Sequence, residues 1–289
     1  MDRAAGLCIG CARTAREIAG WRQADEGTRR RIWDDLPARR ARLGIGPHRL
    51  GWSAAEVRSF VASTLRPGSG TWVLGISGAV AEFCVGPGEP LELDLGGPDL
   101  VARTARAALR LAIADDVRAL SLSPGEPAVG GIVVLAVPRG RADRAVPGGL
   151  VDLGPDRDAV APGAEQRLVD LGVGPFPARF CVRTGDPGLI RDLRAHAGLR
   201  WPDLLAAAGA QILRASPTRV VTAPIGRVEV FVPIPPPGGT SPEGPHTHLL
   251  PAHLATGRET PPGIDLPEVL APCAIYYPGA ASPAETTCS

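Results

Sequence analysis

TWVLGISGAVAEFCV, residues 71–85, is the stretch on which the reading of this chain turns. It contains two short β runs, TWVLGIS and AVAEFCV, joined at GISGAV (75–80). The glycines of GISGAV do not open a helix, so they mark a hairpin turn and not a dinucleotide-binding fingerprint. Working downstream, a GGPD step (96–99) reads as the cap of a long helix running through Leu109, and GGIVVLAVP (130–138) returns to strand. Short β runs punctuated by Gly and Pro and interrupted by helix imply an α+β fold with a mainly antiparallel sheet.

The order then recurs. AEFCVGPGEP (81–90) aligns with ARFCVRTGDP (178–187), and GGIVVLAVP (130–138) with IGRVEVFVP (225–233). The expectation is a duplicated strand-helix-strand body, the alternative being chance similarity between buried strands. LVDLGPDRDAVAPG (150–163) reads as an edge strand running into a connecting loop. Units are accordingly expected at 1–45 (helical), 46–165 and 166–278 (α+β), with a disordered tail at 279–289.

Upstream of the hairpin the texture is helical. SAAEVRSFVASTLR (53–66) carries the capping-box pair Ser53 and Glu56, with Val57, Phe60, Val61 and Leu65 on one face. Before it, TAREIAGWRQ and a second helix after Asp25 each offer one apolar stripe, from Ile18 and Trp21 and from Ile32 and Leu36. Pro37 and Gly44 are expected to close this small module. Its arginines 29, 30, 31, 39, 40 and 42, interrupted by Asp34 and Asp35, read as a solvated helical face, with nucleic-acid contact as the alternative.

Composition narrows the function. With 31 basic and 30 acidic residues the formal net charge is +1, so no global field favours nucleic acid or an anionic membrane. No run approaches the roughly 20 apolar residues of a membrane helix, and no secretory signal is evident, so a cytoplasmic protein with reduced thiols is expected. Of the six cysteines (8, 11, 84, 181, 273, 288), Cys84 and Cys181 lie in strand-like runs and read as buried core thiols.

Cys8 and Cys11 are different, because their Cys-x-x-Cys spacing can supply two thiolates to one metal ion. Ala12 follows Cys11, which excludes the Cys-x-x-Cys-His haem attachment, and the pair leads into a helical module instead of a βαβ sheet, unlike a thioredoxin-type redox pair. Residues 8–43 resemble a small bacterial family of uncharacterised, YdhL-like proteins described as predicted iron-sulfur proteins. The resemblance rests on Cys8-x-x-Cys11-x-Arg13-Thr14, Glu17-Ile18, Trp21, Asp25-Glu26, the Arg-rich second helix and Leu36-Pro37-x-Arg39. It implies four thiolates, an earlier Cys-x3-Cys pair preceding the one at Cys8 and Cys11. Only seven residues precede Cys8 here. The expectation is that in-frame sequence upstream of Met1 holds the earlier pair, or that this copy has lost it. Two thiolates make a weak, exchangeable site, and an iron-sulfur cluster is not expected in the chain as it stands.

The second cluster lies in the Pro/Gly-rich segment after residue 233. His246 and His248 alternate in SPEGPHTHLLPAHL (241–254), so in an extended chain both imidazoles project to one side, and His253 could join them if a helix follows. Glu243 or Glu259 could add an oxygen ligand. The alternative is a helix whose Leu249, Leu250 and Leu254 dock on the sheet, with the histidines capping or exposed. No Gly-x-Ser-x-Gly elbow, P-loop or His-Glu-x-x-His is present. Taken together, these features lead to the expectation of a protein that binds or handles a metal ion or metal cofactor, zinc or iron, through His246, His248 and His253, with Cys8 and Cys11 as a separate site. The alternatives are a metal-dependent hydrolase or oxygenase using the histidine loop, and a non-catalytic interaction protein without metal; the partner is an unknown small molecule or protein.

Overall fold

The computed structural model describes residues 1–2, 4–8, 11–44, 46–122, 131–142, 148–173, 177–234 and 244–279. Glu243, Cys288 and all but the first residue of the expected tail lie outside the described residues.

The hairpin is present as β2 (Gly70–Ile76) and β3 (Ala79–Phe83), paired antiparallel with Trp72 opposite Phe83 and Leu74 opposite Ala81. Gly78, at φ +92, supplies the turn, a conformation that side-chain-bearing residues rarely adopt. Strand period then sorts the side chains. Trp72, Leu74, Ile76, Ala79, Ala81 and Phe83 enter the main core, while Val73, Val80 and Glu82 face the opposite way.

This hairpin belongs to a seven-stranded sheet in the order β1 (His48–Arg49), β7 (Arg118–Ser121), β8 (Val133–Pro138), β15 (Leu270–Pro278), β2, β3 and β14 (Thr247–Leu249). A second, eight-stranded sheet runs β4 (Glu92–Asp94), β5 (Asp99–Arg103), β6 (Ala107–Ala112), β13 (Gly226–Val230), β12 (Thr218–Ala223), β11 (Arg179–Thr184), β10 (Arg167–Asp170) and β9 (Val151–Pro155). All neighbours in both sheets pair antiparallel. The sheets stack with β12 and β13 across β2 and β3, and one core joins them. The fold is α+β.

Around the sheets lie α1 (Ala15–Gly20), a 3-10 turn at Trp21–Gln23, α2 (Glu26–Arg42), α3 (Ala54–Thr64), α4 (Arg139–Ala142), α5 (Pro187–Ala195), α6 (Asp203–Ala215) and α7 (Pro251–Leu254). No helix among the described residues is long and apolar enough to cross a membrane. The capping box of α3 forms as expected: Ser53 Oγ accepts from the Glu56 amide at 3.3 Å, and the Glu56 carboxylate accepts from the Ser53 amide at 2.7 Å. Val57 and Val61 are buried against the sheet, where Trp72 donates from Nε1 to Thr64 Oγ1 at 2.9 Å. Burying one such large side chain contributes roughly 2–3 kcal/mol.

Three expectations are corrected. The helix expected through Leu109 is the β5–β6 hairpin, in which Leu100, Ala102, Leu109 and Leu111 alternate into the core. The Ala-, Leu- and Arg-rich composition favours helix locally, but pairing with β13 buries the alternate residues and overrides it. As a result, the first of the two similar stretches passes from β3 to β8 through strands, whereas the second passes from β11 to β13 through α5, α6 and β12, and the matching strands lie in different sheets. Pro37 does not end the second helix, which continues to Arg42 and stops before Gly44 at φ +64. Leu36 is buried there and Arg39 grips Glu17 at 2.7 Å and Asp35 at 2.9 Å, contacts that offset the hydrogen bond lost at proline. Arg40 does not belong to a solvated face: it is buried, only 8% exposed.

On its outer face, the eight-stranded sheet carries a buried quartet. Arg183 contacts Glu229 at 2.8 Å and Asp156 at 3.2 Å, and Arg227 contacts Glu229 at 2.6 Å as well as Asp156. Glu229 also accepts from the Val160 amide at 2.8 Å, which holds the segment after β9 across the sheet. β9 is the edge strand expected from the sequence.

Candidate functional site

The outer face of the seven-stranded sheet presents Val73, Val80, Glu82, His248 and Tyr277, and the N-terminal module covers it with Cys11, Arg13, Trp21, Trp33, Leu36 and Arg40. Between them lies a cavity of about 410 Å³, closed at the side by Leu250, His253, Pro261, Pro262 and Ile264. That size suits a small organic ligand.

Each polar group is there for a local reason. Glu82 and Val80 share the outer side of β3 by strand period, and Glu82 is fully buried. β14 pairs with β3 so that His248 lies opposite Val80, and His248 Nε2 is then 3.6 Å from Glu82 Oε1, too long for a hydrogen bond. Tyr277 comes from β15 on the same face. Burial pushes its phenol well above the usual tyrosine range, with the nearby Glu82 charge adding and Arg40 opposing. The Gly78 turn also seats α7: Leu250 donates its amide to the Gly78 carbonyl at 2.7 Å, and a Cβ on Gly78 would strike the Leu254 amide. α7 in turn sets the His253 ring edge-on to Trp33, with centroids 5.2 Å apart. Burial holds the His253 imidazole below its ordinary value, Glu26 opposing.

On the module side, Trp33 packs on Trp21 at 5.8 Å, and the Arg13 guanidinium lies 3.9 Å over the Trp21 ring. Arg40 donates from Nη1 to the Gly263 carbonyl, while its buried Nη2 has no hydrogen-bond partner among the described residues. Burial lowers the proton affinity of Arg13 and Arg40 alike. Burial raises the Cys11 thiol, against the Arg13 backbone amide, and the adjacent Cys8 thiol raises it further.

Three of the five expected metal ligands, Cys11, His248 and His253, therefore line one cavity, although the sequence places the cysteines and histidines in separate sites. Cys8 stands beside Cys11 but off the cavity wall. His246 also lies off it, with its ring 5.7 Å from that of His248; a Cβ on Gly244 would meet His246 Nε2 at 3.8 Å and Cys84 Sγ at 3.9 Å. Glu259 is engaged by Arg139 through two bonds of 2.8 Å. Among the described residues, no group of three or more His, Cys, Asp and Glu side chains is placed to hold a metal ion. Cys181 is fully buried as expected, but on the outer side of β11, alternating with the core residues Phe180 and Val182, whereas Cys84 is half-buried beside Arg106.

The sequence reading missed Glu82, Tyr277, Arg13 and Arg40 as site residues, and Trp21 and Trp33 as walls. The available signal was Glu82, a carboxylate inside an otherwise apolar strand. Tyr277 arrives through the pairing of β15 with β2, and the remaining residues meet the site through docking of the module.

Residues 1–40 match the model of a protein of unknown function, DUF1289, and residues 56–287 that of a family of unknown function, DUF6925. No curated protein and no solved structure matches. The cavity is thus lined from both matched segments, Cys11 to Arg40 from the first and Val73 to Tyr277 from the second. Because its match spans well over half of the sequence, this chain belongs to the family of unknown function DUF6925.

Proposed function

We propose that this protein binds a small molecule in the cavity between the N-terminal module and the seven-stranded sheet. The support is the composition of the walls: a largely apolar cleft whose lining also holds a few polar residues, Arg13, Arg40, Glu82, His248 and Tyr277. Such an arrangement fixes a ligand's orientation by hydrogen bonds and takes its affinity from burial. Saturation-transfer NMR with a fragment library tests this. Fragments are expected to bind the wild-type chain and to lose binding in Val80→Trp, which narrows the cavity; equal binding by both proteins would refute it.

A second reading is a metal site, zinc or iron, as the resemblance to predicted iron-sulfur proteins suggests. Its support is that Cys11, His248 and His253 line a single cavity. It requires the thiols to ionise and the side chains to converge, and a metal with open positions could then activate water. Elemental analysis of protein purified without added metal tests it: substoichiometric zinc or iron, removed by His248→Ala with His253→Ala, is the expected result, and metal content unchanged by the pair counts against it. Both readings suit the cytoplasm, where thiols stay reduced.

A further inference from the structure

We infer that the ligand of the cavity is a small organic carboxylate with a flat apolar body, its carboxylate held by Arg40, an inference that rests on the cavity being a ligand site.

Among the described residues, Arg40 is a buried guanidinium with one hydrogen bond, to the Gly263 carbonyl; its side chain lines the cavity and its buried Nη2 has no acceptor. Among the described residues, no carboxylate forms an ion pair with it. A buried charged donor left unmade is costly, and a carboxylate oxygen is the acceptor that satisfies it best. Charge agrees in sign: among the described residues lining the cavity, the guanidiniums of Arg13 and Arg40 outnumber the one carboxylate, Glu82, which favours an anionic ligand over a metal cation. Trp21, Trp33 and the His253 ring supply aromatic walls for a flat body.

The test is isothermal titration calorimetry of the full chain with benzoate, phenylacetate and 2-naphthoate, each against its neutral primary amide. At least one carboxylate is expected to bind the wild type at least about tenfold more tightly than its amide, the size of one charge-assisted hydrogen bond. That preference is expected to vanish in Arg40→Met and binding itself to weaken in Val80→Trp. Amides binding as well as acids, or a preference that survives in Arg40→Met, would overturn the carboxylate assignment while leaving the cavity a ligand site. If none of the probes binds, or if Val80→Trp binds as the wild type does, the cavity reading falls with it. The acid-to-amide ratio in the wild type decides the ligand class even if Arg40→Met fails to fold.

Discussion

Single residues in this chain owe their roles to which side of a strand they occupy. Glu82 alternates with the core residues Ala81 and Phe83 and so lies on the outer side of β3, Cys84 just past the strand meets Arg106, and Cys181, between the core residues Phe180 and Val182, is completely buried on the outer side of β11. Beside Cys84, Arg106 donates to Glu89 from Nε at 2.9 Å and Nη2 at 2.6 Å, and the Gly86 amide donates at 2.9 Å. The Arg106 hydrogen bonds lead in drawing the Glu89 carboxyl from 4.5 down to about 2. Because the folded value lies below the unfolded one, this stabilisation is complete above about pH 4.5 and is lost as pH falls toward about 2. Urea denaturation at a series of pH values should show Glu89→Gln less stable than the wild type at neutral pH, with the gap closing across that window. A gap that stays constant would show that Glu89 contributes nothing through its charge.

At the level of elements, local signals worked where a side chain caps or a turn demands glycine, and failed where pairing decides. α3 begins where Ser53 and Glu56 say it should, since the capping box needs only residues within one turn. Ser53→Ala should lower unfolding free energy by about 1 kcal/mol in chemical denaturation, and Ser53→Asp should largely restore it. No loss in the alanine variant would show that tertiary packing alone holds the helix start. DLVARTARAALRLA, residues 99–112, shows the opposite behaviour. Its composition suits a helix, yet its two halves alternate and lie between β4 and β13, partners that no local window contains. α2 likewise passes through Pro37 because Leu36, Arg39 and Arg40 find distant contacts on either side of it.

The whole molecule has two levels of attachment. Both sheets share one core, while none of the described buried residues of the N-terminal module, among them Ile32 and Leu36, belongs to it. The module is held instead by the Trp33–His253 contact and the reach of Arg40 to Gly263. Hydrogen exchange followed by mass spectrometry should therefore find α1 and α2 exchanging faster than β2, β8 and β15. Trp33→Ala should speed exchange in the module further and leave those strands unchanged. Equal protection throughout would mean that the module unfolds only with the core.

Period and punctuation carry short-range information, so TWVLGISGAVAEFCV announced its hairpin, Ser53 its helix, and the chain its α+β class and helical N-terminus. The Cys-x-x-Cys and His-x-His spacings likewise drew notice to Cys11 and His248. What spacing could not convey is that these residues, more than 230 positions apart in the chain, face one another across a cavity with Glu82, Tyr277 and Arg40. That meeting depends on β14 pairing with β3 and on the module docking over the outer face, and both are contacts between segments whose sequences are each satisfied locally. Strand identity is written in neighbours two residues apart; the site is written in which surfaces remain to be buried once the strands have formed.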